Sequence, residues 1–166
     1  VTIAFPRMRV KPGPVRLDLV GGDVIFGRIE REDDVGVVMT GAGLAPLSVP
    51  LERIRVLTQP AALARLAEKP HVVAKDGQDV VFRRLKSNVD RVTGTIDSVS
   101  PAGVTLETSI GPLRIGLDSL VAIAFSGTDD PTPITGVHVV ALCADGSRIS
   151  GRPVALETNT LLLDTP

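Results

Sequence analysis

Residues 15–29 read VRLDLVGGDVIFGRI, residues 79–96 read DVVFRRLKSNVDRVTGTI, and residues 137–153 read VHVVALCADGSRISGRP. In the first stretch Val15, Leu17 and Leu19 alternate with Arg16 and Asp18, the period-two pattern of a strand with one buried face. Gly21, Gly22 and Asp23 make a polar turn, and Ile25, Gly27 and Ile29 share one face of the returning strand. Each stretch is thus a strand, a turn and a second strand with a glycine at its middle, and self-similarity of this kind predicts an array of like β-units.

Beyond residue 29, the acidic run EREDD (30–34) reads as a turn. Val35, Val37 and Met39 then suggest a third strand, Leu47, Val49 and Leu51 a fourth, and 54–57 a short fifth. The second unit follows in register. Gly27 and Gly94 are 67 positions apart (94 − 27), as are Gly36 and Gly103 (103 − 36), while Pro46 and Pro112 are 66 apart (112 − 46). Unit three repeats the hairpin, with Gly151 in its second strand, adds 161–163 and stops. Pro153 stands where the others have Ile29 and Ile96, which predicts an edge strand or a bulge, since proline donates no ladder hydrogen bond.

The expected fold class is therefore all-β: tandem small five-stranded barrels with one short linker helix. Its parts are a closing strand of a preceding or shared unit (1–10), barrel one (11–58), a linker with the helix (59–78), barrel two (79–127), a linker (128–136) and a partial third barrel (137–166). QPAALARLAEK (59–69) carries the helix, with Pro60 in its first turn, Pro70 as its stop, and Leu63 and Leu66 to dock it. Residues 1–5, VTIAF, match 121–125, VAIAF, so either the chain is a segment of a longer array or its first strand closes the third unit. The segment reading is favoured, because the other still leaves one strand absent.

Composition bounds the chemistry. Aromatic residues are 2% of the chain, so Val, Ile and Leu must build the cores. A net charge of −1 gives no field to draw the chain to nucleic acid or an anionic membrane. No apolar run reaches the roughly 18 residues that a membrane helix needs. Gly27, Gly94 and Gly151 read as architectural, relieving the bend of a strand shared by two sheets.

The pattern of strand, GGD or DG turn, xIxGxI, third strand and PLxIxL resembles an Sm-like small barrel, most strongly over 15–57 and 79–125. The order of barrel, QPA helix, basic strand pair and CADGSRISG hairpin is similar to the multi-barrel N-terminal region of secreted bacterial proteins that carry a downstream NPCBM-type carbohydrate-binding module. That module is absent from these residues. The resemblance implies export to the periplasm or cell surface and a glycan context, and assigns no ligand to any residue.

No catalytic spacing is present. His71 and His138 have no triad partners, the lone Cys143 shares a strand face with Val139 and Ala141, and no closed metal-ligand set exists. Thr128, Asp129 and Asp130 could touch calcium, but a solvated turn is the stronger reading. No cofactor is expected. The candidate interaction surface is a basic cluster, Arg83, Arg84, Lys86 and Arg91, with an acidic one, Glu30, Glu32, Asp33 and Asp34. These are solvated charge, or an ionic contact between barrels or subunits; nucleic acid ranks last because the four Phe residues look like core. The expected function is a non-catalytic scaffold or protein-interaction module, with other subunits or the rest of a longer chain as partners. The alternative is a carbohydrate-binding or, behind it, a nucleic-acid-binding module.

Overall fold

The structure is a computed structural model and describes residues 10–41, 44–75, 77–86, 88–127, 138–157 and 160–165. The expected closing strand at 1–5 and the candidate calcium turn at 128–130 lie outside the described residues. The strands are β1 (Val15–Leu19), β2 (Val24–Glu32), β3 (Gly36–Gly41), β4 (Leu44–Pro50), β5 (Ile54–Thr58), β6 (Asp79–Leu85), β7 (Asn88–Ser100), β8 (Gly103–Thr108), β9 (Gly111–Gly116), β10 (Leu120–Ala124), β11 (Val139–Leu142), β12 (Arg148–Glu157) and β13 (Thr160–Asp164). One α-helix, α1 (Pro60–Ala64), lies between β5 and β6. The fold is all-β. Every pairing is antiparallel, and the strands join in one 13-stranded sheet.

Three long strands bend, and the two halves of each serve different hairpin partners. β2 pairs with β1 through residues 24–27 and with β3 through 28–32. β7 pairs with β6 through 88–94 and with β8 through 95–100. β12 pairs with β11 through 148–151 and with β13 through 152–157. The handover falls directly after Gly27, Gly94 and Gly151. A Cβ built on any of these would lie within 3 Å of a carbonyl oxygen in the third strand, that of Thr40, Glu107 or Asp164. Only glycine permits that approach. Two residues on, the register slips between Ile29 and Arg31, Ile96 and Ser98, and Pro153 and Ala155. The slip adds twist and turns each strand into the second layer.

Period-two alternation buries Val15 and Leu17 on β1, and one cluster gathers Met39, Leu57, Val104, Leu106 and Ile123 from both five-strand sets. β10 is buried at every position because both its faces are covered. Leu120 and Ile123 enter the common core, while Val121, Ala122 and Ala124 join Val80 and Phe82 on the other side. Leu63, Leu66, Val72 and Ala74 of the linker lie over that second cluster.

Three expectations change. The helix predicted over 59–69 is five residues long, with Arg65 as its C-cap. So short a helix has little stability of its own, and the chain beyond it follows the apolar face with Val72 and Ala74 as further anchors. Val35 is exposed and outside β3, because its N–H is drawn to the Asp33 carboxylate in the turn. Leu51 opens a single 3-10 turn, Leu51–Arg53, where a fourth strand was expected to continue.

Closed barrels are not seen among the described residues. β4 pairs with β3 alone, and the second edge of β5 goes to β10. There Thr58, Leu57 and Val56 face Ala122, Ile123 and Ala124. Two further hydrogen bonds, Gln59 N–H to Val121 O and Phe125 N–H to Arg55 O, lengthen the seam. Its centre pairs Leu57 with Ile123, 66 positions apart (123 − 57), so like strands meet about a local twofold axis.

Candidate interaction edges

A second seam joins β12 to β2. Its single ladder position, Arg148 opposite Val24, is supported by side chains that reach across in both directions. The Asp23 carboxylate accepts the Ser150 N–H at 2.7 Å and the Ser150 hydroxyl at 2.8 Å. The Ser147 hydroxyl accepts the Phe26 N–H at 2.9 Å. Arg148 Nη1 donates to Gly22 O at 2.8 Å and lies 3.7 Å from Asp23 Oδ1. Gly21 and Gly22, with φ of 92° and 87°, form the turn that offers this carbonyl. Counted back from the bend glycines, Asp23 and Ser147 occupy the same place (27 − 4 and 151 − 4), as do Phe26 and Ser150 (27 − 1 and 151 − 1). Each strand thus caps the other's outward N–H with a residue from the same position.

Sequence alone places Asp23 in a polar turn and Asp79 at the start of a strand, and shows the distant partner of neither. Asp79 is buried yet fully used: one oxygen accepts the Ile96 N–H at 2.7 Å beside the bulge, and the other accepts the Ser126 N–H and hydroxyl. It ties the bend of β7 to the end of β10. The available signal was a polar residue four places before each bend glycine, Asp23, Asp90 and Ser147.

Of the basic cluster, Arg83 places Nε and Nη2 at 2.9 and 2.8 Å from Asp90 Oδ2, inside the β6–β7 hairpin. Arg84, Lys86 and Arg91 are exposed, Lys86 at the hairpin tip with φ of 55°. Of the acidic cluster, Glu30 and Glu32 are exposed on β2 and Asp34 is exposed beyond it. Asp33 Oδ2 accepts the Ser48 hydroxyl, and Oδ1 accepts the N–H groups of Val35 and Gly36. The Ser48 hydrogen bond, ahead of those backbone bonds, lowers the Asp33 pKa below its ordinary value. No ion pair among the described residues links the two clusters; Arg83 takes its counterion from its own hairpin.

His71 is exposed in the linker, and His138 is exposed just ahead of β11 instead of on it. Cys143 likewise follows β11, in a turn where its N–H donates to Ser147 O and its carbonyl accepts from Gly146. Burial, then the nearby Asp145 carboxylate, raises its thiol pKa, which keeps it protonated near neutrality. Asp145 is itself buried, with Oδ1 accepting the Ser147 N–H and no partner for Oδ2 among the described residues. Among the described residues no three His, Cys, Asp or Glu side chains are grouped to hold a metal ion, and no helix is long and apolar enough to cross a membrane.

A shallow cleft of about 380 Å³ lies between β1 and the linker, where Arg16, Asp18 and Lys69 meet Leu63 and Val72. It opens broadly to solvent, and Arg16 is already paired with Asp18 and laid 5.8 Å from the Phe26 ring centre. The more distinctive surface is on the last three strands. Leu142, Val154, Leu156, Leu161 and Leu162 are exposed, and Leu156 and Leu161 are direct cross-strand partners. No protein-family model, curated protein or solved structure matches this chain.

Proposed function

We propose that this protein is a non-catalytic scaffold or protein-interaction module of tandem small five-stranded Sm-like barrels, working as part of a larger chain or assembly. The exposed apolar pair on β12 and β13 carries the reading: Leu156 is 71% exposed and its cross-strand partner Leu161 39%. Paired exposed leucines of this kind mark a site of association. Among the described residues β4, β9, β11 and β13 each pair on one side only, and such edges offer unpaired backbone groups to another strand. The exported setting and glycan context belong to the proposal through the sequence resemblance alone.

The test is light scattering coupled to size exclusion from micromolar to millimolar concentration, with an apolar dye as a second readout. Association or strong dye binding that Leu156→Lys and Leu161→Lys suppress supports the reading. A monomer at every concentration that binds no dye refutes it.

A further inference from the structure

We propose that the first half of β7 is a self-association edge, pairing antiparallel with the same strand of a second copy of this chain. The inference rests on the reading that strand edges are this protein's means of association. Residues 88–94 pair with β6 on one side, and β8 takes only 95–100, so the outer side of 88–94 carries no ladder among the described residues. The Arg91 N–H there donates at 2.9 Å to the carboxylate of its own neighbour, Asp90.

The corresponding halves of β2 and β12 are the ones that pair with each other. Four, three and one places before the bend glycine, β2 has Asp23, Val24 and Phe26, and β12 has Ser147, Arg148 and Ser150. The clasp uses the carboxylate of the first strand and the guanidinium and hydroxyl of the second. β7 has Asp90, Arg91 and Thr93 at these places, so it carries the carboxylate, the guanidinium and the hydroxyl together. Two copies in the β2–β12 register therefore form the complete clasp twice. Each Asp90 accepts the N–H and hydroxyl of the second copy's Thr93, and each Arg91 reaches the second copy's Asp90 and Val89 carbonyl.

The arginines face each other at the crossing point, and like charges opposed in a sheet repel. Arg148 shows the way out, turning from its crossing point to the carbonyl and carboxylate of the facing turn. On pairing, the Arg91 N–H leaves Asp90 Oδ1 for the new ladder, and that oxygen's two lone-pair sites take the Thr93 N–H and hydroxyl while Oδ2 keeps its bonds from Arg83. A strand bearing alternate charges in one short segment thus selects its own antiparallel copy.

Sedimentation equilibrium on the full chain tests this. The unaltered protein is expected to form dimers, and Arg91→Asp alone to raise the dissociation constant by roughly 100-fold. Asp90→Arg alone is expected to do the same, and an equimolar mixture of the two to form heterodimers, because one strand is then all acidic and the other all basic. Thr93→Pro, which removes an outward N–H and leaves the β6 ladder intact, should also abolish dimers, and it covers the case in which Asp90→Arg unfolds the hairpin. Association that all three variants leave unchanged overturns this inference while the apolar-surface reading stands. A monomer at all concentrations overturns it whatever the dye shows.

Discussion

Asp23→Ala should loosen the third strand group while leaving the rest of the fold intact. The Asp23 side chain is 13% exposed and accepts two hydrogen bonds from Ser150, with the Arg148 guanidinium at 3.7 Å. A hydrogen bond to a charged group contributes about 1.5–3 kcal/mol. The two here share one carboxylate, and the freed Ser150 hydroxyl can turn to water, so their joint loss is about 2–3 kcal/mol. At 1.4 kcal/mol per tenfold, the undocked state becomes roughly 30 to 150 times more populated. One ladder position, the Ser147–Phe26 and Arg148–Gly22 bonds and the Ile149 side chain in the common core remain to hold the seam. Amide hydrogen exchange should therefore accelerate by that factor at Ser150 and Phe26, while Leu57 and Ile123, in the fully buried β5–β10 seam, keep their protection. Unchanged exchange at Ser150 would refute the clasp, and equal loss at Leu57 would refute the independence of the two seams.

Other outcomes follow from single residues. Gly94→Ala should cost about 1–3 kcal/mol in urea unfolding, since its Cβ collides with the Glu107 carbonyl, and Gly94→Val should cost more. Equal stability of Gly94→Ala and the unaltered chain would contradict the bend. Cys143 should alkylate more slowly than a free thiol at pH 8, and its contribution to stability, full below the unfolded thiol's 9.0, should be lost as pH rises through the higher folded value. Ser48→Ala should move the Asp33 carboxyl titration upward in NMR, because the Ser48 hydroxyl is the first cause of its lowering. In the unaltered chain the Asp33 contribution is present above 3.8 and fades as pH falls through the lower folded pKa.

Local features were legible where a local rule sets them. The alternation of Val15 and Leu17 gave the buried face of β1, and Pro153 marked the place where β12 slips register. What escaped depends on partners distant in the chain. β10 has no alternation to read, because a register shift between Leu120 and Ala122 and the cover of Leu63 and Leu66 bury both of its faces. The β5–β10 seam decides how the two sets join, yet nothing in Ile54–Thr58 names Leu120–Ala124 as its partner. Asp23 looks like any turn residue until β12 is beside it. The acidic and basic clusters stood out as charge runs, but Arg83 found Asp90 seven residues away and Asp33 found Ser48 and its own turn.

The two internal seams also differ in strength, and that difference orders the surfaces through which further association can occur. At β5–β10 the pairs centre on Leu57 and Ile123, both fully buried, so separating the strands would expose apolar core on both sides. Burial of that kind stabilises by about 25 cal/mol per Å² and makes the union permanent on the scale of the fold. At β2–β12 one ladder pair, a polar clasp and a single buried side chain, Ile149, hold the strands, with the Arg148 side chain 42% exposed. Exposed charge pairs weaken as salt screens them, so that seam, and any intermolecular pairing built on Asp90, Arg91 and Thr93 in the same way, should loosen with ionic strength. The Leu156 and Leu161 surface should hold or strengthen under the same change, since salt does not screen apolar contact. A salt titration of association therefore separates the two modes: one that weakens steeply runs through the strand edge, and one that does not runs through the apolar strands.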